Sequence, residues 1–175
     1  QTVVDYYSGL LEEMKSRVAE GIAAVPGERH RLLWDNLPVW YRTRWLSEKF
    51  AEHGACLVAD TYTSSWCGSM PYLDENDFLA SMAAGYSRIY INIGTDRMAA
   101  MVVDMVNKYN ADGLVIHSNR SCKPYSLGQY DIQRIVQETC GIPSLVIEAD
   151  MTDARSFSES QIDTRIDAFM EVLSA

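Results

Sequence analysis

Short apolar runs alternate with one-sided amphipathic stretches along this chain, and that alternation sets the expected fold. Leu114, Val115 and Ile116 form the plainest run, with Asp112 and Gly113 before it and polar residues from His117 onward. Such a run suits a strand buried on both faces. Arg31–Trp34, Cys56–Ala59 and Ser144–Glu148 read the same way. Ile89–Ile93 is ambiguous between strand and loop because Asn92 and Gly94 interrupt it. Between these runs lie helical patterns. One covers Val39–His53, with Trp45, Leu46 and Phe50 inward and Gly54 as its stop. Another starts at a Thr95 cap and carries Met98, Met101, Val102, Met105, Val106 and Tyr109 on one face, ending at Asn110. Its methionines suit a core, because Met fills irregular gaps. A third runs from Tyr125 to Cys140, opened by Pro124 and closed by Gly141. The last starts at Ser158, where Gln161 completes a capping box and Phe157 and Ile162 form a hydrophobic staple. Asp74–Tyr86 is a weaker helix. Asp5–Ile22 places Tyr7, Leu10, Leu11, Met14, Val18 and Ile22 on one face of another. Asp60–Pro71, rich in Ser and Thr, reads as a polar loop.

Strands alternating with helices predict an α/β protein. The expected form is a three-layer sandwich around a mostly parallel four-stranded sheet, in flavodoxin-like or Rossmann-like order. Residues 1–175 read as one domain, with residues 1–25 a candidate bridging helix. In such sheets ligands lie outside the carboxyl ends of the strands, where strand order reverses. Three loops are expected to meet there: Asp35–Trp40, Asp60–Gly68 and His117–Lys123. Trp40, Tyr62 and Trp66 are candidates to wall a dry pocket.

Composition narrows the function. The formal net charge of −9 argues against binding nucleic acid through its phosphates. A membrane surface is equally unsuited, no apolar run is long enough to span a bilayer, and no signal-peptide pattern opens the chain. Cys56, Cys67, Cys122 and Cys140 show no CxxC or zinc-knuckle spacing, and so few cysteines fit a reducing cytoplasm. GxGxxG, P-loop and HExxH patterns are absent.

The candidate chemistry concentrates in HSNRSCKPYSLGQ, residues 117–129. Cys122 falls between a strand end and a helix start, flanked by Arg120 and Lys123. Free backbone amides and cations favour a thiolate there, the form that attacks or binds metal. His117 is either a general acid or base at the strand end or a satisfied core histidine. Lys123 either attracts an anion or pairs with Glu148 or Asp150. Asp150 and Asp153 suit turns and caps better than catalysis. Cys67, in a polar loop, is a secondary ligand candidate, and Cys56 and Cys140 read as buried.

This stretch resembles the signature of the 2-hydroxyacyl-CoA dehydratase / benzoyl-CoA reductase family. The NRSCKP form resembles its alpha-type subunits. GIPSLVIEADMTDARSFSESQIDTRIDAFMEVL resembles the family's C-terminal end, and DNLPVW stands where the family often has an acidic residue, Gly-Ile-Pro and an aromatic. Asn36 replaces that Gly, and Asn also tolerates positive φ. The resemblance implies the C-terminal half of a longer subunit, truncated or released by proteolysis, since the chain begins with Gln1. It implies a [4Fe–4S] cluster in the full-length subunit, absent from this half alone, with Cys122 as a metal ligand. Ser121, Lys123 and Tyr125 are expected around the cluster, and His117, Ser118, Asn119 and Arg120 at the reacting groups. The implied partners are an acyl-CoA substrate, a second homologous subunit and an ATP-dependent iron–sulfur activator. The implied activity is radical elimination of water from an (R)-2-hydroxyacyl-CoA, or alternatively reduction of an aromatic acyl-CoA. A non-catalytic docking domain and a thiol-redox protein are the competing classes.

Overall fold

The computed structural model describes residues 2–175. Four strands, β1 (His30–Asp35), β2 (Ala55–Asp60), β3 (Gly113–Asn119) and β4 (Ser144–Ala149), form one sheet in the order β2-β1-β3-β4. Every pairing is parallel, so the sheet is wholly rather than mostly parallel. This is the flavodoxin-like order, and strand order reverses between β1 and β3.

Alternate strand residues feed two cores. On one face Leu32, Trp34, Val115, Leu145 and Ile147 meet α2 (Thr43–Glu52) and α8 (Glu159–Ser174) through Leu46, Phe50, Ile162, Ile166 and Phe169. On the other, Leu33, Leu114 and Ile116 meet α5 (Thr95–Tyr109) and α7 (Gln129–Cys140) through Met98, Val102, Val106, Ile132 and Val136. The methionine stripe of α5 is thus core, as its period indicates.

Four local expectations need correction. Residues 61–69 form α3 (Thr61–Ser69) rather than a loop. Asp60 is its N-cap, accepting from the Thr63 amide at 2.6 Å, which offsets the weak helix propensity of its Ser and Thr residues. The helix expected over 125–140 is broken: α6 (Lys123–Ser126) ends at Leu127, and Gly128 caps a separate α7. Gly94 rather than Thr95 is the N-cap of α5. Ser158 is the N-cap of α8 but its side chain makes no capping bond. The ambiguous stretch 89–93 contains a 3-10 turn, Tyr90–Asn92.

The first helix, α1 (Val3–Ala19), has no buried residue. Its Thr2–Asp5 capping box makes it a helix, and its apolar face, including Tyr7, Leu11 and Val18, stays exposed. Among the described residues no helix is long and apolar enough to cross a membrane.

Asn36 adopts φ 87° at the end of β1, as its replacement of a glycine implies. Its side chain then works on both sides of the turn: Nδ2 donates to the His117 carbonyl at 2.7 Å, and Oδ1 accepts from the Leu37 amide. Asn36→Ala is expected to cost about 2–4 kcal/mol, adding left-handed strain to two lost bonds, and Asn36→Gly about 1–2 kcal/mol less. Urea unfolding of both variants checks this, and equal losses would mean that the backbone angle is not the constraint.

Candidate functional site

The three segments expected at the carboxyl edge do converge, the second of them as the start of helix α3. The Asn36 amide donates to Thr61 Oγ1 at 3.0 Å, tying the loop after β1 to the start of α3. His117 Nδ1 lies 2.6 Å from the Leu37 carbonyl, which can only accept, so Nδ1 carries the proton. Together with the Asn36–His117 bond, this ties β1 to β3 across the reversal point.

Cys122 is half-buried on the turn between β3 and α6, with its residue at the N-cap of α6. Three bonds of its neighbours hold that turn. Asn119 Oδ1 accepts from the Ser121 amide at 3.1 Å, and the Asn119 carbonyl accepts from Ser126 Oγ at 2.8 Å. Ser121 Oγ donates to the Asp150 carboxylate. That carboxylate also accepts from the amides of Thr152 and Asp153, both at 2.9 Å. The Ser121 hydroxyl and then those two amides hold the Asp150 carboxyl well below the usual range. Asp150 is therefore an ionised clamp on the cysteine turn, a stronger form of the turn role expected for it.

The remaining candidates divide by position. His117 is 0% exposed and packs beside Trp34 on the α2/α8 face, with ring centroids 6.0 Å apart. Burial pushes its pKa down and keeps the ring neutral. Ser118 points to the opposite face and accepts from Gln129 Nε2 at 2.9 Å. Arg120 is exposed and binds Glu148 at 2.7 Å. The pairing expected for Lys123 is corrected, since Arg120 holds Glu148 and Ser121 holds Asp150. Lys123 itself is exposed beside Cys122, while Tyr125 is 4% exposed beneath. Of the aromatic trio, Trp40 meets Tyr62 edge-on at 5.9 Å, but Trp66 pairs with Tyr86 instead. A separate apolar groove of about 240 Å³ opens between β2 and α2, lined by Trp34, Val39, Leu46 and Leu57 among others.

Beneath Cys122 lies a polar group that no sequence motif outlines. Asp35 is 0% exposed and its Oδ1 accepts from Thr61 Oγ1 at 2.8 Å. Burial raises its carboxyl to about 6, against the opposing effects of Thr61, Tyr90 and Asn36. Tyr90 is 1% exposed and stacks on Tyr125 at 5.4 Å. In the sequence, Asp35 stands out as the acidic residue opening DNLPVW and as a charge ending the apolar run LLW, while Tyr90 falls in the ambiguous stretch. Because folding favours protonated Asp35, stability falls as pH rises from about 4 to 6 through this group. Asp35→Asn removes that dependence. Its stability relative to wild type is expected to improve by about 3 kcal/mol between pH 4 and pH 7 in urea unfolding. His117 acts oppositely, losing stability below about pH 6.5, but it is common to both proteins and cancels. A gap that stays flat with pH would mean that Asp35 is ionised in the folded domain.

Cys56 and Cys140 lie away from this edge, and burial raises both thiols. Cys67 is exposed on α3. Among the described residues no three His, Cys, Asp or Glu side chains gather as a metal site. Cys122 fits a cluster as a single ligand: the residue is half-buried, its turn is pinned, and its side chain packs at the edge of the α5/α7 core.

Comparison with known proteins gives a consistent picture. The family described as 2-hydroxyglutaryl-CoA dehydratase, D-component, matches residues 1–173. The chain is 33% identical over 165 residues to the (R)-2-hydroxyisocaproyl-CoA dehydratase alpha subunit of Clostridioides difficile, covering 94% of this chain and 40% of that protein. It is 30% identical to the alpha subunit of lactoyl-CoA dehydratase of Anaerotignum propionicum, covering 97% and 40%. It is 29% identical to a benzoyl-CoA reductase subunit of Thauera aromatica, covering 97% and 41%. The chain thus spans about 40% of the length of these curated relatives.

Proposed function

The chain belongs to the 2-hydroxyglutaryl-CoA dehydratase, D-component, family, and on that footing we propose that it is part of an alpha-type subunit of an (R)-2-hydroxyacyl-CoA dehydratase in which Cys122 ligates a [4Fe–4S] cluster. The observation that carries this reading is the pinned, half-buried Cys122 turn at the carboxyl edge of the sheet. Thiolate sulfur is the usual protein ligand of such clusters. One thiol is too few, so the remaining ligands come from a segment outside this chain.

The overall reaction is loss of water from a 2-hydroxyacyl-CoA to give an enoyl-CoA. It starts from one electron, delivered by an ATP-dependent activator and recovered at the end, and passes through a ketyl radical of the substrate thioester. When bound, the cluster supplies that electron and a Lewis-acidic iron.

This chain's own residues hold, orient and exclude water. Asn119, Ser121 and Asp150 fix the ligand turn, so that the sulfur need not be ordered on binding. Lys123, exposed beside the thiol and free of the Glu148 and Asp150 pairings, offers a cation to an anionic thioester cofactor. Trp40 and Tyr62 contribute an apolar rim. His117, buried and neutral, braces the strands rather than exchanging protons with substrate.

The test is an anaerobic assay of the full-length subunit with its homologous partner and activator. Dehydration of at least one 2-hydroxyacyl-CoA is expected. Turnover of an aromatic acyl-CoA alone would move the chain to the ring-reducing branch, and no turnover of either would favour a docking role.

A further inference from the structure

The polar group under Cys122 contains two buried atoms that the fold alone does not explain. Asp35 Oδ2 and the Tyr90 hydroxyl are both buried and make no hydrogen bond, yet each lies close enough to the other to shift its titration. A carboxyl and a phenol buried with no counter-charge cost stability unless something is gained. Around them the bonds form a chain. Thr61 Oγ1 donates to Asp35 and accepts from the Asn36 amide, at 2.8 and 3.0 Å. Ser65 Oγ donates to the Thr61 carbonyl. The Tyr125 hydroxyl lies against Ser65 and Thr61, and its ring stacks on Tyr90 with an interplanar angle of 29°. Tyr125 is the one buried residue of α6, the short helix that Cys122 caps. The Tyr90–Tyr125 stack therefore joins this bonded group to the helix that follows the sulfur.

Resting on the cluster reading above, we propose that Asp35 is a positioning residue for Cys122, acting through Thr61, Tyr90 and Tyr125 to anchor the start of α6 from below. The other side of the turn is clamped by Asp150 through Ser121, the residue before Cys122. Asp150, itself 4% exposed, binds through Ser121, and Asp35 binds on the other face through Thr61. Neither touches the thiol. The role is to keep its direction fixed while a ligand set from another segment closes on it.

The experiment uses the full-length subunit, purified without oxygen, carrying Asp35→Ala, Asp35→Asn, Tyr125→Phe, Thr61→Val or the pair Asp35→Ala/Tyr125→Phe. Two readouts apply: iron lost to a chelator, and the midpoint potential of the cluster by spectroelectrochemistry. Asp35→Ala and Tyr125→Phe are each expected to lose iron about 10-fold faster. Both are expected to shift the potential in the same direction, because sulfur hydrogen bonding and exposure set it. The pair is expected to do little more than either single variant, since both act on one anchor. Asp35→Asn keeps a donor and an acceptor and should stay near wild type. Thr61→Val, with the same shape and no hydroxyl, carries the test if Asp35→Ala does not fold. Phe169→Leu, on the opposite face of the sheet, is the stability control and should leave the potential unmoved. Wild-type iron loss and potential in a folded Asp35→Ala or Thr61→Val would overturn the proposal, as would an equal shift in Phe169→Leu. These outcomes are distinct from failure of the cluster reading, which is iron retained in Cys122→Ser.

Discussion

Cys122→Ser, made in the full-length subunit and purified without oxygen, is expected to lose its iron and at least about 100-fold of its dehydratase activity. A serine hydroxyl matches the thiol in size, so the turn should survive. Its anchors are supplied by other residues: Asn119 to the Ser121 amide, Ser126 to the Asn119 carbonyl, and Ser121 to Asp150. Unfolding by urea should therefore stay within about 1 kcal/mol of wild type while iron falls, since Cys122 is only half-buried at the edge of the core. Metal analysis, activity and unfolding on one preparation separate a lost ligand from a lost fold. Retained iron would remove Cys122 from the ligand set.

The second large effect belongs to the scaffold. Phe169→Ala is expected to destabilise the domain by about 3–5 kcal/mol, lowering Tm by roughly 10 °C or more. Phe169 is 6% exposed and fills the space that Gly113 leaves at the start of β3. A Cβ on Gly113 would meet Phe169 Cζ at 2.7 Å and Leu32 Cδ2 at 3.1 Å. Gly113 is thus small because the aromatic ring of α8 presses on the central strand. Gly113→Ala alone should cost about 1–3 kcal/mol by overpacking. Added to Phe169→Ala, it should instead restore part of the loss, since the methyl enters the vacated space. Strictly additive losses in urea unfolding would show that the two positions do not share that space.

The layers of the fold were readable because they rest on burial, which periodicity records. Leu114–Ile116 announced the central strand, and Met98 to Tyr109 announced the core helix; both stand in the structure. The positive φ of Asn36, 87°, was readable only through the family resemblance, which has Gly at that turn, joined to the tolerance of Asn for that angle. Helix ends were harder, since they turn on single hydrogen bonds. Leu127 and Gly128 look like helix interior in a pattern, yet the chain pauses there, leaving Leu127 81% exposed. The Ser and Thr residues of α3 mimic a loop until the Asp60 cap is weighed. The Cys122 turn was visible as HSNRSCKP, a contiguous string. The group beneath it was not, because Asp35, Thr61, Tyr90 and Tyr125 lie on four separate elements and meet only in three dimensions. Nothing in sequence spacing encodes that meeting.

The same distinction explains the division of roles around Cys122. Contiguous residues, Asn119 to Ser126, shape the turn. Distant ones, Asp150 and Asp35, fix where the turn sits. On the proposed reading, a ligand completed by another segment needs both, because loose ordering of even one donor weakens a metal site.

Iron and acid-labile sulfide counted in the anaerobically purified full-length subunit test the central claim most directly. About four of each per polypeptide is the expected result for a [4Fe–4S] cluster gripped in part by Cys122. A colourless full-length protein, free of iron and sulfide when oxygen has been kept out, would contradict it.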